Sequence, residues 1–359
     1  MTPAVLLAAA LGFFAGMCPQ ERSGEEAAQA DREKERLRSK PPLTDAEKKA
    51  YASPVPPPVQ PRAAYTLAVV PVDFSDRAAG DPDRTKKLLA GLTDYYTAAS
   101  GGRFTLGLKS CAPAPLGVGR DHFERKDLEK ALAGLPACDG IAFIIPGGIA
   151  PRGSPLWPHR GVLRSGEKET DYLLVPEEAP VAVLAHEFMH LLGFADKYDD
   201  EKASVADACI LGTGYSVRHP PPPCAECRLR LGWASAATVD AAEPAALRLD
   251  RDLSRVLRIK ITPDGDEALL LELRDRLLIW HVGGGSKIDL VGRFPSESSD
   301  RLTPLSEPSF RGRSVGSRPV WITDIRVQDG TAWFRVGPDA PLTAFEEWRR
   351  SHVGKRLGD

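Results

Sequence analysis

The segment PVAVLAHEFMHLLGFADKYDD, at residues 180–200, constrains the fold of this 359-residue chain more than any other feature of its sequence. Its histidines His186 and His190 are four residues apart, so in a helix they lie on one face and both imidazoles can reach a single metal ion. Glu187 lies beside them, where it can act as a general base toward an attacking water molecule. The segment therefore predicts a helix that carries a hydrolytic metal site.

The residues after this helix complete the predicted site. Gly193 is placed to end the helix in a left-handed turn, and the returning chain brings Asp196 toward the metal as a third ligand. Three protein ligands leave one coordination position open, which distinguishes a catalytic zinc site from a four-ligand structural one. The pattern HExxHxxGxxD matches the metzincin arrangement, so we expect Zn²⁺ to be held by His186, His190 and Asp196.

Two further acids follow the motif, and their role stays open. Asp199 or Asp200 can orient the imidazoles by hydrogen bonding. The same two acids are equally typical of solvated loop charges or of a calcium site. The expected cofactor is therefore Zn²⁺, with Ca²⁺ as an open alternative.

Hydrophobic patterning places the motif helix in an α/β fold. Apolar, β-branched runs predict buried strands, and apolar residues spaced three and four apart predict amphipathic helices. We expect an α/β (α+β) catalytic domain at residues 63–235, in which a mixed sheet positions the active-site helix. Within this domain the sequence predicts strands at 65–74, 104–108 and 140–146 and helices at 84–99 and 128–135.

Short alternating runs separated by Asp, Gly and Pro turns follow this domain and predict a β-rich C-terminal unit at residues 236–337. A polar segment at 286–318 is interpreted as a mobile loop, and a closing helix is expected at 344–353 within a tail at 338–359. The predicted strands are 246–249, 255–261, 268–273, 277–282, 320–327 and 331–336.

The first residues are typical of an export signal. Residues 4–17 are apolar, too few to span a bilayer comfortably and suited to a signal-peptide core. We expect a signal peptide at 1–18 and hence a secreted, periplasmic or cell-surface bacterial protein; an N-terminal core helix is the alternative. Cys18 follows small residues, which leaves a lipoprotein signal open. Contact with a membrane is expected only through this N-terminus.

Residues 19–62 are interpreted as a tether, because acidic and basic side chains are mixed there without apolar periodicity and prolines follow. A short pro-segment is the alternative. The whole chain has 47 basic and 49 acidic residues, so its net charge is close to zero and does not attract polyanions. Nucleic acid is therefore not an expected partner.

Five cysteines beyond Cys18 fit an oxidising compartment. One arrangement joins Cys111 to Cys138 and Cys209 to either Cys224 or Cys227, although spacing alone does not fix connectivity. The CAEC spacing at 224–227 is also found in redox motifs and structural zinc sites. Because no second CxxC accompanies it, a disulfide with Cys209 is the preferred interpretation.

Several separated segments carry a further signal. They are VVPVDFSD (69–76), YYTAASGGRFTL (95–106), LWPHR (156–160), HEFMHLLGFADKYD (186–199), CILGTGY (209–215), CAECRLRLGW (224–233) and EALLLELRDRLLIWHV (267–282). Together they resemble the M6 peptidases, the immune-inhibitor-A-like bacterial zinc metalloproteases. The resemblance implies a metzincin-like fold with zinc ligands His186, His190 and Asp196 and the catalytic base Glu187.

The same resemblance draws attention to two residues after the motif. Leu211 occupies the position of the family's methionine beneath the metal, which keeps an apolar floor but removes the thioether. Tyr215 is a candidate catalytic residue that donates to a developing oxyanion, and a packing role is the alternative.

The leading functional hypothesis is an exported zinc endopeptidase that acts on a protein or peptide substrate as a monomer. An extended peptide is expected to pair with an edge strand beside the metal helix. Two alternatives stay open: a noncatalytic surface binding protein on the same fold, and a zinc hydrolase of a non-peptide amide or ester. The intact Glu187 favours an enzyme.

Overall fold

The computed structural model describes residues 59–151, 153–165, 168–197, 205–213, 219–240, 245–262, 264–283, 287–294 and 320–337. The chain divides into two units, Met1–Ser53 and Pro54–Asp359, and every described residue lies in the second. The expected signal peptide, most of the tether, the closing helix and residues Asp199, Asp200 and Tyr215 lie outside the described residues.

A six-stranded mixed sheet forms the first half of the described chain. Its strands are β1 (Ala64–Asp73), β2 (Thr105–Ser110), β3 (Ala114–Pro115), β4 (Gly140–Ile145), β5 (His159–Ser165) and β6 (Lys168–Pro176). The order is β2-β1-β4-β6-β5, with β3 also paired to β1. Strands β2, β1, β4 and β6 are parallel, and β5 runs antiparallel to β6 at the edge. The predicted mixed sheet is therefore present.

The sheet is buried on both faces, as expected for strands that are apolar throughout. Neighbouring residues of one strand enter different core clusters: Val69 of β1 packs on one face and Val70 on the other. In β4, Ile144 and Phe143 divide in the same way. The sheet is thus a rigid platform whose strand ends can hold a site.

Three α-helices lie among the described residues: α1 (Pro82–Ala99), α2 (Val181–Leu191) and α3 (Ala225–Arg230). The helices α1 and α2 were both predicted, and both contribute to the core cluster that contains Val69. Within the described residues, no helix is long and apolar enough to cross a membrane.

One predicted helix differs in type and position. The segment expected to be helical at 128–135 is a 3₁₀ helix at Arg125–Leu132. It begins earlier because Glu124 and Asp127 form a reciprocal capping box, which fixes its first turn. Gly134 follows with a φ of 78°, where the chain turns away. Two shorter 3₁₀ helices are Arg120–His122 and Ala206–Ala208.

The second half of the described chain is rich in strands, as predicted. Its strands are β7 (Ser235–Asp240), β8 (Ala245–Asp250), β9 (Arg255–Lys260), β10 (Ala268–Leu273), β11 (Leu277–Gly283), β12 (Lys287–Phe294), β13 (Trp321–Gln328) and β14 (Thr331–Gly337). One sheet has the order β12-β11-β10-β9-β7 and the other β13-β14-β8. The pair β7–β9 is parallel, and the remaining pairs are antiparallel.

Strand β12 corrects the interpretation of 286–318 as a loop. The segment's overall polarity hid a short run in which Ile288 is buried and Leu290 packs against the core. β12 pairs with β11 along its length, with a register shift between Ile279 and Trp280. The strands β5, β6 and β7 were also not predicted.

The two halves share one core. Tyr96, Phe104, Phe188 and Trp233 form a group of edge-to-face and tilted ring contacts in the first half. Trp280 of β11 belongs to the same core cluster. The proposed boundary between residues 235 and 236 thus falls within continuous packing, and it stays a prediction.

Candidate metal centre

Helix α2 holds the motif and is fixed on several sides. Leu184, Phe188 and Leu191, the stripe predicted to anchor it, are all buried. The hydroxyl of Tyr96 in α1 donates to the carbonyl oxygen of Ala185 at 2.6 Å. The helix also contacts β6 and the edge strand β5. The position of the motif is therefore set by the sheet and by α1 together.

The end of α2 is shaped by glycine. Gly193 has a φ of 97°, a conformation that side chains with a Cβ rarely adopt. Its N–H donates to the carbonyl of His190 at 3.1 Å, and the N–H of Phe194 donates to Met189 at 3.2 Å. This pair of bonds is a Schellman motif, and it turns the chain back toward the helix. The predicted glycine ending is confirmed.

The turn brings three ligand-type atoms together. His186 Nε2 lies 3.0 Å from Asp196 Oδ1, and His190 Nε2 lies 3.5 Å from the same oxygen. The two Nε2 atoms are 3.2 Å apart. We call His186, His190 and Asp196 the His–Asp site.

The spacing fits a tetrahedral metal ion. Ligands bound to zinc at about 2.0–2.1 Å in a tetrahedron lie about 3.3 Å from each other. The three separations in the His–Asp site, 3.0, 3.2 and 3.5 Å, bracket this value. Two imidazole nitrogens and one carboxylate oxygen are also a donor set that zinc accepts. The residues present therefore fit a zinc ion with one position left for another ligand.

Backbone carbonyls orient both imidazoles. His186 Nδ1 lies 2.8 Å from the carbonyl oxygen of Ile210, and His190 Nδ1 lies 2.7 Å from that of Phe194. A carbonyl only accepts, so each Nδ1 carries the proton and donates. The Nε2 lone pairs then face the centre of the site, which is the tautomer that a metal requires.

The site combines burial with negative charge. Both imidazoles are buried, while the Asp196 side chain is 41% exposed. Burial lowers the pKa of His186, but its hydrogen bond to Asp196 and the charges of Glu187 and Asp196 outweigh burial and raise the pKa overall. The carboxylates of Glu187 and Asp196 therefore favour positive charge at His186.

Glu187 lies in α2 next to the His–Asp site and is buried. Its charge is felt by His186 and also by His159 at the start of β5. A buried carboxylate adjacent in the chain to a metal ligand is a candidate to accept a proton from a reacting water molecule.

His159 is a residue to which sequence reasoning gave no role. Its Nδ1 lies 2.7 Å from the carbonyl of Trp157, and its Nε2 lies 3.0 Å from the Tyr172 hydroxyl. Burial lowers the pKa of His159, although the Trp157 hydrogen bond and the charge of Glu187 oppose that shift. The sequence signal that could have identified His159 was the LWPHR segment. Its histidine is the first residue of the edge strand β5, which contacts α2.

Leu211 is fully buried, so the apolar character predicted for its position is present. Its carbonyl accepts the N–H of Lys197 at 2.9 Å, which ties the chain after Asp196 to the segment that holds Ile210. Tyr215 lies outside the described residues, and its oxyanion role stays a prediction.

The described cysteines correct another expectation. Cys111, Cys138, Cys209, Cys224 and Cys227 are all free thiols, so the predicted disulfides are not formed. Cys209, Cys224 and Cys227, which we call the cysteine cluster, instead bring three sulfur atoms within 4.8 Å of one another. An odd number of neighbouring thiols cannot all be paired as disulfides within the cluster.

Comparisons with known proteins add little to this geometry. No family model matches the chain. No curated protein matches it. Among solved structures, metalloproteinase-II from Bacteroides fragilis matches with 17% identity and a TM-score of 0.33, over 52% of this chain and 59% of that one. The chain thus spans less than two thirds of the length of that structure.

Proposed function

We propose that this chain is an exported zinc-dependent endopeptidase of the M6 type that its sequence resembles. The observation that carries the proposal is the convergence of His186 Nε2, His190 Nε2 and Asp196 Oδ1 within 3.5 Å of one another. Export rests on the apolar segment at 4–17. The proposed cofactor is Zn²⁺, bound by the His–Asp site.

Zinc bound at these three atoms supplies a Lewis acid with an open coordination position. The protein's own groups do the rest. Ile210 and Phe194 hold the two imidazoles through backbone carbonyls, so the ligand atoms need not reorient during the reaction. Glu187 accepts the proton of the attacking water and returns it to the leaving amine.

The edge strand β5 is the proposed docking site for the substrate. Among the described strands it pairs with β6 alone, so its other side presents backbone N–H and C=O groups. Helix α2 contacts β5, which places this edge beside the motif helix. An extended peptide paired with β5 is recognised through its backbone, which suits an enzyme that cleaves unfolded protein.

The test is zinc-dependent cleavage of an unfolded protein by the full chain. We expect zinc to restore cleavage after chelation. We expect Glu187→Gln to lower kcat/KM by about 10²- to 10⁴-fold, the usual contribution of a general base, while the zinc content is unchanged. Glu178→Gln is the matched control, because Glu178 pairs with Arg84 at the surface and should leave cleavage unaffected.

Two outcomes contradict the proposal. If the chain binds zinc through the His–Asp site but cleaves no protein, the result favours the alternative of a noncatalytic binding protein. If only small amides or esters are hydrolysed, and Glu187→Gln abolishes that activity, the chain is a zinc hydrolase of another substrate class.

A further inference from the structure

The cysteine cluster lies outside the His–Asp site and has no part in the proposed reaction. Cys209, Cys224 and Cys227 are each 0% exposed. Cys224 and Cys227 lie at the start of α3, and their sulfur atoms are 3.5 Å apart. The N–H of Cys224 donates to the sulfur of Cys209 at 3.3 Å.

The sulfur spacing resembles a metal site more than a disulfide. A disulfide requires two sulfurs about 2.05 Å apart, and three sulfurs cannot all take part in one. Sulfurs bound to zinc at about 2.3 Å in a tetrahedron lie about 3.8 Å apart. The 3.5 Å separation of Cys224 and Cys227, and the 4.8 Å limit on the whole cluster, are compatible with that geometry.

The charges around the cluster provide an independent argument. Three cations lie nearby, the buried Arg228 and the largely enclosed Lys197 and Arg274, and their charges interact with the sulfurs. Two buried carboxylates, Glu226 and Glu272, pair with them. Among the described residues, these three cations outnumber by one the two carboxylates that pair with them.

A cluster with one net negative charge balances that excess, as a divalent ion with three thiolates does and as a single thiolate between two neutral thiols also does. Three thiolates with a divalent ion carry one negative charge, which neutralises the region. Three neutral thiols, or a disulfide with a thiol, leave the positive charge uncompensated, and a monovalent ion reverses it. Arg230 also reaches Glu226, but its side chain is 41% exposed and is screened by solvent.

One further detail agrees with an anionic cluster. Arg228 Nη1 and Arg274 Nε are buried without a hydrogen-bond partner among the described residues, although buried donors are normally satisfied.

We infer that Cys209, Cys224 and Cys227 form a second, structural site for a thiophilic divalent ion, for which Zn²⁺ is the natural occupant. The site does not depend on the proposed protease function. The cluster is linked to the His–Asp site in two ways. Ile210, whose carbonyl accepts a hydrogen bond from His186, directly follows Cys209. Lys197, which directly follows Asp196, pairs with Glu226 of α3.

Cobalt substitution of the full chain tests this inference directly. The His–Asp site has nitrogen and oxygen donors, so Co²⁺ bound there gives only weak visible bands. Co²⁺ bound by thiolates adds an intense sulfur-to-cobalt charge-transfer band in the near ultraviolet. We expect this band in the parent chain, together with zinc contents of two per chain after zinc loading.

Variants assign the band to the cluster. Cys227→Ala should remove the band and one zinc per chain, and His186→Ala should remove one zinc while the band stays. Cys111→Ser is the matched control, because Cys111 is a free thiol outside the cluster. If Cys227→Ala does not fold, the parent spectrum still decides the question.

Four results overturn the inference or its assignment to a divalent ion. The first is a parent chain without the charge-transfer band. The second is peptide mapping that finds Cys209 joined to Cys224 or Cys227 in the zinc-loaded protein. The third is a band that persists in folded Cys227→Ala. Recovery of Cu⁺ rather than Zn²⁺ at the cluster overturns the divalent assignment on which the charge argument depends.

Discussion

The His–Asp site and the cysteine cluster are both groups of three potential metal ligands, yet they meet solvent in opposite ways. Asp196 is 41% exposed, whereas each residue of the cysteine cluster is 0% exposed. A reacting site must admit water and substrate, while a structural site is closed. The same count of ligands therefore predicts different roles once burial is known.

The two regions also differ in how they are held. The His–Asp site is oriented by backbone carbonyls and by a helix ending, so few of its supports are side chains. The cysteine cluster is surrounded by buried ion pairs, of which Arg228–Glu272 is the most enclosed. Substitutions around the cluster should therefore affect stability first, and substitutions around the His–Asp site should affect metal affinity first.

The largest expected effect is the loss of unfolding free energy that the substitution Glu272→Gln causes. Glu272 accepts hydrogen bonds from Arg228, Arg274 and Trp280 in a buried place. Removing its charge leaves two buried guanidinium groups without a counter-charge, which costs about 3–5 kcal/mol. Chemical denaturation measures the loss. Glu187→Gln is the comparison, with an expected change below about 1 kcal/mol, and equal losses in both variants would erase the contrast between the regions.

The sequence predicted the parts of the structure that depend on local pattern. The spacing of His186, Gly193 and Asp196 predicted a helix, its ending and a convergence of ligands, because helical geometry and glycine's freedom act within a few residues. Buried strands such as β1 and β4 were also predictable, because burial on both faces makes them apolar throughout.

The parts that were missed depend on contacts between distant residues. β12 is polar on average, and its pairing with β11 becomes visible only when Ile288 reaches the core. The same holds for the cysteine cluster, since residue spacing suggested disulfides and gave no measure of the charges that Arg228 and Glu272 bring to it. The backbone carbonyl of Ile210 was equally hidden from sequence patterns.

A smaller effect, specific to the His–Asp site, is expected for Gly193→Ala. A Cβ at a φ of 97° is strained and costs about 1–3 kcal/mol. Because the turn also sets the position of Asp196, we expect zinc affinity to fall about 10- to 100-fold, as for other residues that orient ligands. Competition with a chelator dye measures the affinity.

Gly134→Ala is the matched control for that variant. Gly134 has a φ of 78° and open space where a Cβ would lie, so the backbone strain is similar but distant from the metal ligands. It should lower stability without changing zinc affinity. If both variants weaken zinc binding alike, the loss comes from general destabilisation and the turn has no special role.

The smallest expected effect is a pH dependence that comes from His159. Burial lowers its pKa in the folded protein from the ordinary value of 6.5, so above that pH the residue is neutral in both states and contributes nothing. As the pH falls below 6.5, the unfolded chain takes up a proton that folded His159 refuses, and the folded state loses stability. His159→Gln should therefore lose less stability on acidification than the parent, measured by denaturation at a series of pH values. His122→Gln, at an exposed histidine, should follow the parent. The opposite result is a parent protein that gains stability relative to His159→Gln as the pH falls. It would mean that folded His159 is protonated beside Glu187. The edge strand would then present a cation to the reacting site rather than a neutral imidazole.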